Sequence, residues 1–531
     1  MLTADALSTP VRLPMSRSLP PLLSATRRAL YLSCALACAA VSGLSGCAHP
    51  GAGASGADGT TDGTLLPLSV LRRADYAVPI DQVLRPDAPD YDSPLVPWQT
   101  QQAWTRALRE RYVGTAPEAS SPWNPRYVER MIERPLLPMR LRARADRYDN
   151  AGKPARRIGY GVNFQPHDAA WIARLRASMR VEQFGTGRFD AARRAITLDE
   201  ASVRELPTDD AHFYDMRLPG QGFPFDNLQV TALRPGTPVY RLGDSADGAW
   251  SYVLAPEVEG WVRANRLAQA DEAFVNGWRA AMAAPGAVLA ARLPVHDANG
   301  RYLFDAPLGT ILPLAVPAPP GTSLTVRVPV ADAEGHATMH SARLAAGSFA
   351  ALPVPLTRHA MADLIRALDN RPYGWGNSFG DNDCSAETRS LFAPFGLWLP
   401  RHSSAQVDVL RPLDLSQQTP AQRLAILRRD ALPLLTLIDI GGHVMLYLGA
   451  GQRAGRPIAW VYQNIWGLRP PDGSRRAVLG GSLVFALDTE IPGDASLQSL
   501  AARGRFRLGR ILPLGEPPAA TPADGDDVDQ R

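Results

Sequence analysis

A single cysteine, Cys384, stands where the sequence passes from a glycine-rich loop into a helical pattern. Residues 373–385 read Y-G-W-G-N-S-F-G-D-N-D-C-S, and A-E-T-R-S-L-F follows. Asp383 is a suitable N-cap, and Leu391 and Phe392 would turn inward from the helix. A thiol in the first turn feels the positive end of the helix dipole, which favours the nucleophilic thiolate. The alternative is an inert buried cysteine, which is common in proteins.

A cysteine nucleophile also needs an imidazole that takes and returns its proton, and a polar group that orients the imidazole. His443 ranks first because it opens the second of two apolar strands, where a sheet could hold it rigidly. His402 is the rival, in a P-R-H-S-S loop where a histidine is usually a surface residue. The next strand, W-V-Y-Q-N-I-W-G, offers Gln463 or Asn464, and only one can serve because neighbouring strand residues face opposite sides.

The N-terminus predicts export. Two arginines precede an apolar run over residues 29–44, which is short for a membrane span but fits a signal peptide. The run ends in L-S-G-C, which resembles a bacterial lipobox with Cys47 as the lipidated residue. Cleavage elsewhere by a simple signal peptidase is the alternative, and either Met1 or Met15 could be the start. We therefore expect a lipid-anchored protein of the cell envelope that faces the periplasm. The outer membrane is the membrane in which we expect the lipid to insert.

Cysteine usage sharpens the interest in Cys384. The chain has four cysteines; Cys34 and Cys38 would leave with the signal peptide and Cys47 would carry lipid. The mature protein would then hold one thiol in an oxidising compartment, with no disulfide. Such a thiol must be either buried or used.

Strand and helix patterns predict a multidomain α+β protein. Between residues 231 and 268, short alternating runs with a D-G turn at Asp247 and Gly248 resemble a bacterial SH3-like barrel, and a weaker copy follows. Such modules bind cell-wall peptide, form part of the wall of an active site, or act as spacers. The predicted segments are a signal peptide (1–46), a tether (47–66), a mainly helical region (67–194), two SH3-like domains (195–270 and 271–352), a catalytic domain (353–515) and a disordered tail (516–531).

Charge and motif content exclude several function classes. The chain has 56 basic and 52 acidic residues, a net charge of +4 with no basic block, which argues against nucleic-acid binding. No H-E-x-x-H or paired-cysteine spacing predicts a metal site, and the loop at residues 374–380 is not a phosphate-binding G-x-x-x-x-G-K-S motif. We expect neither a metal nor another cofactor, and we expect a monomer.

Four stretches together resemble the NlpC-type papain-like peptidases of bacterial cell walls. They are Y-G-W-G from Tyr373, D-C-S from Asp383, L-P-R-x-S-x-x-Q from Leu399, and G-H-V-x-x-Y-L-G from Gly442. The helical region and paired SH3-like modules also resemble one architecture of this family. The resemblance implies a papain-like catalytic domain whose substrates are peptidoglycan stem peptides, commonly cut between γ-linked D-glutamate and diaminopimelate.

The same resemblance implies residue roles. Cys384 would be the nucleophile, His443 the general base and Gln463 the orienting residue, with the hydroxyl of Tyr373 and the backbone N–H of Cys384 stabilising the oxyanion. The residues expected to contact substrate are Asp383, Ser385, Trp375, Arg401 and Ser403.

Two positions depart from the family pattern. Gln463 stands where a histidine is frequent, so it can orient the imidazole without adding charge. His402 stands where members that require a free N-terminal L-alanine carry an acidic residue, which argues against a strict requirement for a free amine. The leading hypothesis is a γ-D-glutamyl-diaminopimelate endopeptidase. A cysteine amidase of the muramoyl-L-alanine bond and a non-catalytic wall-binding lipoprotein are the alternatives.

Overall fold

The computed structural model describes residues 68–133, 137–185, 187–315 and 322–511. The predicted signal peptide, Cys47, the tether and the predicted tail lie outside these ranges. Within them, no helix is both long enough and apolar enough to cross a membrane.

The first part of the described chain is mainly helical, as predicted. Its elements are β1 (Leu68–Val70), α1 (Ile80–Leu84), α2 (Trp98–Val113), α3 (Pro125–Ile132), α4 (Leu137–Arg147) and α5 (Ala169–Met179). Side-chain caps define two of the helix starts: Asn124 accepts backbone N–H bonds at α3, and the carboxylate of Asp168 accepts the N–H of Trp171 at 2.7 Å in α5. Each cap satisfies amides that the first helical turn leaves without a partner.

The next part is a seven-stranded sheet, the first SH3-like domain. Its strands are β2 (Arg194–Thr197), β3 (Ala201–Arg204), β4 (Gln229–Leu233), β5 (Pro238–Asp244), β6 (Trp250–Leu254), β7 (Glu259–Arg263) and β8 (Leu267–Gln269), in the order β4-β3-β7-β6-β5-β2-β8. Gly248, at a φ of +69°, makes the tight turn between β5 and β6. Tyr240, Tyr252 and Trp261 pack in one core with helices α3, α4 and α5, so the helical region covers one side of this domain.

The second SH3-like domain opens with a helix and continues as smaller sheets. Its elements are α6 (Glu272–Ala281), β9 (Pro285–Val288), β10 (Arg292–His296), β11 (Tyr302–Pro307), β12 (Ile311–Pro313), β13 (Leu324–Ala331), β14 (Ala337–Leu344) and β15 (Phe349–Ala351). Strand β9 pairs with β12 and β15, while β10 pairs with β11 and β13 with β14. Trp278 of α6 is fully buried against this domain's apolar residues.

The C-terminal part is a mixed α+β domain. Its elements are α7 (Arg358–Leu368), α8 (Cys384–Phe392), α9 (Ser403–Asp408), β16 (Leu413–Asp414), α10 (Pro420–Asp430), β17 (Thr436–Asp439), β18 (Val444–Arg453), β19 (Arg456–Leu468), β20 (Arg476–Leu487) and β21 (Arg507–Arg510). The sheet order is β1-β20-β19-β18-β17-β21-β16. Helix α8 packs against β18 and β19 in the core that also contains Cys384. The arrangement confirms the predicted α+β fold class.

The helical region is joined to this sheet in a way that the sequence pattern did not reveal. Strand β1 pairs in parallel with β20, with Leu68 opposite Arg476. The side chain of Gln101 in α2 donates to the carbonyl of Val354 at 2.7 Å and accepts the N–H of Leu356 at 3.0 Å. The helical region therefore braces both the first SH3-like domain and the domain that carries Cys384.

Candidate active site

Helix α8 presents Cys384 in its first turn, as the sequence predicted. Asp383 is the N-cap, and its carboxylate accepts the N–H of Ala386 at 2.9 Å. Cys384 is only 6% exposed, and its sulfur faces the backbone N–H of Val444 at the start of β18. The thiol therefore lies where a helix start meets the end of a sheet strand.

His443 is the residue just before β18, and a tight turn fixes its position. The carboxylate of Asp439, at the end of β17, accepts the N–H of Gly441 at 3.0 Å and bonds from Arg505 and Arg507 at 2.7–3.0 Å. The N–H of Ile440 donates to the carbonyl of His443 at 3.0 Å, which closes the hairpin. The backbone turn that carries His443 is therefore anchored by the buried carboxylate of Asp439.

Strand β19 supplies the partner of the imidazole. Nε2 of His443 lies 2.7 Å from Oε1 of Gln463, an atom that can only accept, so Nε2 carries the proton and Nδ1 is the basic nitrogen. Asn464 faces the other side of the strand and donates to the carbonyl of Asn382 at 2.9 Å. Of the two residues left open by the sequence, Gln463 is the one that touches the histidine.

The protonation states differ from the sequence expectation. Burial, followed by the adjacent carboxylate of Asp383, raises the pKa of the Cys384 thiol to about 12, so the helix dipole does not yield a resting thiolate. Burial lowers the pKa of His443 to about 4, and the bond to Gln463 offsets this only partly. Both pKa shifts favour the neutral forms of the thiol and the imidazole over their charged forms.

Three of the residues expected to contact substrate form a buried cluster beside the cysteine. The guanidinium of Arg401 forks onto the carboxylate of Asp383 at 2.5 and 3.1 Å and donates to the hydroxyl of Ser385 at 2.7 Å. Burial raises the pKa of Asp383, but the charge and bonds of Arg401 outweigh this and leave that pKa below its ordinary value. These side chains line the cavity and hold one another rigidly.

The loop that carries Tyr373 and Trp375 is shaped by the first SH3-like domain. Gly376 has a φ of +58°, and a Cβ there would come within 2.9 Å of the carbonyl oxygen of Gln229. The side chain of Gln229 donates to the carbonyl of Gly376 at 2.8 Å, and Thr231 accepts from Arg401 at 2.7 Å. Only glycine meets both the backbone conformation and the close approach at position 376.

These groups converge on one cavity of about 310 Å³. Its wall includes the catalytic candidates Tyr373, Cys384 and His443 together with the expected contacts Trp375, Asp383, Ser385, Arg401 and Ser403. The rival His402 also lines the cavity, at the N-cap of α9, whereas Gln463 supports His443 from behind. The predicted catalytic and substrate-contacting residues, apart from Gln463, thus surround one cavity.

The cavity also contains residues that sequence reasoning missed. Phe225 of the first SH3-like domain packs against Trp375 and Trp466, with ring centroids 5.6 and 4.9 Å away. A second missed group is basic, consisting of Arg469, Arg476 and Arg503. No short motif flags these residues, because the fold brings them to the cysteine from distant segments. In the described ranges, no set of histidine, cysteine, aspartate or glutamate side chains is placed to hold a metal ion.

A cysteine at a helix start, next to a histidine that an amide side chain orients, is the arrangement of a papain-like cysteine peptidase. Comparison with known families agrees with this class. Residues 370–457 match the NlpC/P60 family, residues 211–263 an SH3 domain of the SH3b1 type, and residues 271–315 an SH3 domain of the SH3b2 type. The chain thus contains a region that matches the NlpC/P60 family, preceded by two regions that match bacterial SH3 domains, as its motifs predicted.

One solved structure shares the fold over most of the chain. A structure described as a novel NlpC/P60 endopeptidase from Photobacterium damselae subsp. piscicida is 24% identical, with a TM-score of 0.69, and the match covers 83% of this chain and 98% of that one. An NlpC/P60 family protein from Bacillus cereus is 17% identical, with a TM-score of 0.39, covering 60% of this chain and all of that one. The comparison with curated proteins found no match.

Proposed function

We propose that the protein is an endopeptidase that cuts peptidoglycan stem peptides between γ-linked D-glutamate and diaminopimelate. The observation that carries this proposal is the bond of 2.7 Å between His443 and Gln463 beside the buried thiol of Cys384. A wall-binding module would have no need of an oriented imidazole next to a cysteine at a helix start. The choice of bond rests on the resemblance of the motifs around Tyr373, Cys384 and His443.

The protonation states define how the reaction would begin. Because burial favours the neutral thiol and the neutral imidazole, Sγ of Cys384 would lose its proton to Nδ1 of His443 as it attacks the γ-carbonyl carbon of glutamate. The backbone N–H of Cys384 and the hydroxyl of Tyr373 would stabilise the negative oxygen of the tetrahedral intermediate. Gln463 keeps Nδ1 directed at the reaction, since its oxygen holds the opposite ring nitrogen.

The remaining steps return the enzyme to its starting state. The imidazolium gives its proton to the amine of the leaving diaminopimelate as the C–N bond breaks, which leaves a thioester on Cys384. A water then attacks the thioester, and His443 takes one of its protons and passes it to the departing sulfur. The products are a peptide that ends in free D-glutamate and a peptide that begins with diaminopimelate.

The preference for a free N-terminal amine is expected to be weak. Two carboxylates of the first SH3-like domain, Glu205 and Glu259, line the cavity, but Arg144 lies 3.6 and 3.3 Å from them. His402 adds no carboxylate to this wall. These two carboxylates are thus already paired with an arginine.

The experiment that tests the reaction is mass spectrometry of purified sacculi after digestion with the full-length protein. The expected products carry new N-terminal diaminopimelate, and Cys384→Ala should release none. Release of intact stem peptides would instead show an amidase, and tight binding to sacculi with no soluble product would show a wall-binding protein.

A matched pair of histidine variants tests the assignment of the base. His443→Ala should reduce cleavage by about a hundredfold or more, because the proton acceptor is lost. His402→Ala should retain most of the activity, although the residue lines the same cavity. The reverse result would exchange the two roles.

The location is part of the proposal. We propose that a lipid on Cys47 anchors the protein, as a monomer, to the outer membrane, facing the periplasm. Labelled palmitate should be incorporated into the wild-type chain and not into Cys47→Ala. Equal labelling of both would overturn the lipid anchor.

A further inference from the structure

Three neighbouring arginines, here called the arginine cluster, line part of the wall of the catalytic cavity. Arg469 directly follows β19, Arg476 begins β20, and Arg503 follows a short turn before β21. Within the described ranges none of the three has a carboxylate partner. Arg475 provides the contrast, since it lies next to Arg476 in sequence and pairs with Asp494 at 2.6 Å.

The cluster's own hydrogen bonds go to neutral acceptors. Arg476 donates to the backbone carbonyls of Gly473 and Arg475 at 3.3 and 3.1 Å, and Arg503 donates to the side chain of Gln498 at 3.3 Å. These bonds fix the two guanidinium groups without cancelling their charge. All three arginines are half-buried.

The concentration of positive charge in this partly buried place is unfavourable for the empty protein. Burial, and then repulsion by neighbouring arginines of the cluster, lowers the pKa of both Arg476 and Arg503 to about 10. An anion placed between these groups would relieve the repulsion and make charge-assisted hydrogen bonds.

The arginines that line the cavity differ in their charge balance. Arg144, which also lines it, has Glu205 and Glu259 as partners, at 3.6 and 3.3 Å. The arginine cluster is therefore the part of the described cavity wall where charge is left unbalanced. A ligand that fills the cavity would gain most electrostatically by placing its anionic group there.

One member of the cluster also lies within electrostatic reach of His443, in the wall of the same cavity. The charge of Arg503 acts on His443 and contributes to the lowering of that residue's pKa. In the proposed reaction His443 returns a proton to the departing amine, so the leaving peptide must lie on the side of His443. A cluster whose charge acts on His443 is therefore suited to contact the portion of substrate that leaves first.

We propose that Arg469, Arg476 and Arg503 form a carboxylate-binding subsite for the leaving half of the stem peptide. The carboxylate comes either from the side chain of the diamino acid or from the C-terminus of the peptide. The assignment to the leaving half rests on the proposed function, whereas the affinity for a carboxylate rests on the cluster alone. Such a subsite would favour released or short stem peptides with free carboxylates, and diaminopimelate over lysine.

The test is calorimetric binding of three peptides to full-length Cys384→Ala, which separates recognition from catalysis. The probes are L-alanyl-γ-D-glutamyl-meso-diaminopimelate, the same peptide ending in L-lysine, and the lysine peptide as its C-terminal amide. We expect the first to bind about tenfold or more tightly than the amide, since a bond between charged groups is worth that much. A gain between the first and second probes identifies the side-chain carboxylate, and a gain between the second and third identifies the C-terminus.

Substitutions in the same background assign the effect to the cluster. Arg469→Gln, Arg476→Gln and Arg503→Gln should each remove most of the preference and leave the affinity for the amide unchanged. Arg475→Gln is the matched control and should keep the preference, as should Arg503→Lys, which retains the charge. Circular dichroism shows whether each variant is folded.

The outcomes are distinguishable. Equal affinity for the three peptides, no binding of any of them, or a preference that survives all three glutamine variants would overturn the subsite. If the preference follows the arginines but the wild-type protein cuts none of the peptides, the proposed reaction fails while the carboxylate subsite stands.

Discussion

The two SH3-like domains have related strand patterns but meet the catalytic domain in different ways. The first contributes Phe225, Gln229 and Glu259 to the wall of the catalytic cavity, whereas no described residue of the second lines it. The second domain reaches the cysteine-bearing loop chiefly through Arg292, which donates to the carbonyl of Gly380 at 3.1 Å.

This difference shows that a module's role follows from where it packs, not from its fold. The first domain holds the loop from within: Gln229 bonds Gly376, and Thr231 bonds both Asn377 and Arg401. The second domain supports the same loop from outside, through a side chain that is about one third exposed. Changes in the first domain should therefore affect the chemistry, and changes in the second should affect it little.

The largest expected effect follows from breaking the buried ion pair between Arg401 and Asp383. Thr231 of the first domain is hydrogen-bonded to this pair through Arg401. Arg401→Ala leaves the carboxylate of Asp383 buried without its counter-charge, because both side chains are at most 6% exposed. We expect a loss of about 3–5 kcal/mol in the free energy of unfolding, the usual result of removing one partner of a buried pair. Chemical denaturation of the full-length protein measures it.

The matched variant is Arg401→Lys, which keeps the charge but loses the forked geometry. Its free energy of unfolding should lie between the values for the wild type and Arg401→Ala. A loss below about 1 kcal/mol for Arg401→Ala would mean that the pair behaves as a surface ion pair, and the first domain would not be anchored as described.

Acid should lower the free energy of unfolding through a buried histidine of the first SH3-like domain. His212 is 1% exposed, and burial, followed by the nearby His167, lowers its pKa to about 3. The unfolded chain takes up a proton near pH 6.5 that the folded chain refuses, so stability is full above pH 6.5 and falls as the pH drops toward 3. The loss from this residue should reach about 2 kcal/mol by pH 5.

The measurement is the free energy of unfolding across pH 7.5 to 5, an interval chosen to span the unfolded pKa. His212→Gln should remove part of the slope, while His443 keeps contributing a loss of the same sign because its pKa is also lowered. His340→Gln, at an exposed position of the second domain, should leave the slope unchanged. Equal slopes for wild type and His212→Gln would contradict the assignment.

An aromatic contact of the first domain should matter for catalysis more than for stability. The ring of Phe225 packs at a tilt against Tyr373 and edge-on against Trp375 and Trp466, with centroids 6.3, 5.6 and 4.9 Å away. Phe225→Ala should lower kcat/KM for stem-peptide cleavage about tenfold, because such contacts are each worth roughly 0.5–1.5 kcal/mol and Tyr373 would lose its support. Tyr302→Ala, an exposed aromatic of the second domain, is the control and should change kcat/KM less than twofold. Similar losses in both would remove the distinction between the domains.

The sequence was sufficient for the local parts of this site and insufficient for those that depend on packing between domains. The cap at Asp383 and the strand that begins after His443 follow from residue types and spacing, so Cys384 and His443 could be placed. Gln463 could be separated from Asn464 only by seeing which face of β19 meets the imidazole. The raised pKa of Cys384 depends on burial, which no local pattern reports.

The contribution of the first SH3-like domain to the cavity could not be predicted from the sequence for the same reason. Gln229 and Thr231 lie about 150 residues before the loop that they hold, and their types are ordinary for a strand. The arginine cluster is likewise assembled from residues that are separated in the sequence. Sequence patterns identify elements and motifs, whereas the contacts that close this cavity come from the way the elements pack.

The smallest expected effect provides the counterpart in the second domain. Arg292→Ala removes the bond to Gly380 and the pair with Asp305, whose atoms lie 2.8 Å apart. Because both charged side chains are about one third exposed, the loss in unfolding free energy should stay below about 1 kcal/mol, and kcat/KM should change less than about twofold. Parallel denaturation and cleavage assays with Arg401→Ala give the contrast. A fall in kcat/KM for Arg292→Ala with stability unchanged would show that the outer support also sets the loop's geometry, so that both domains shape the catalytic cavity.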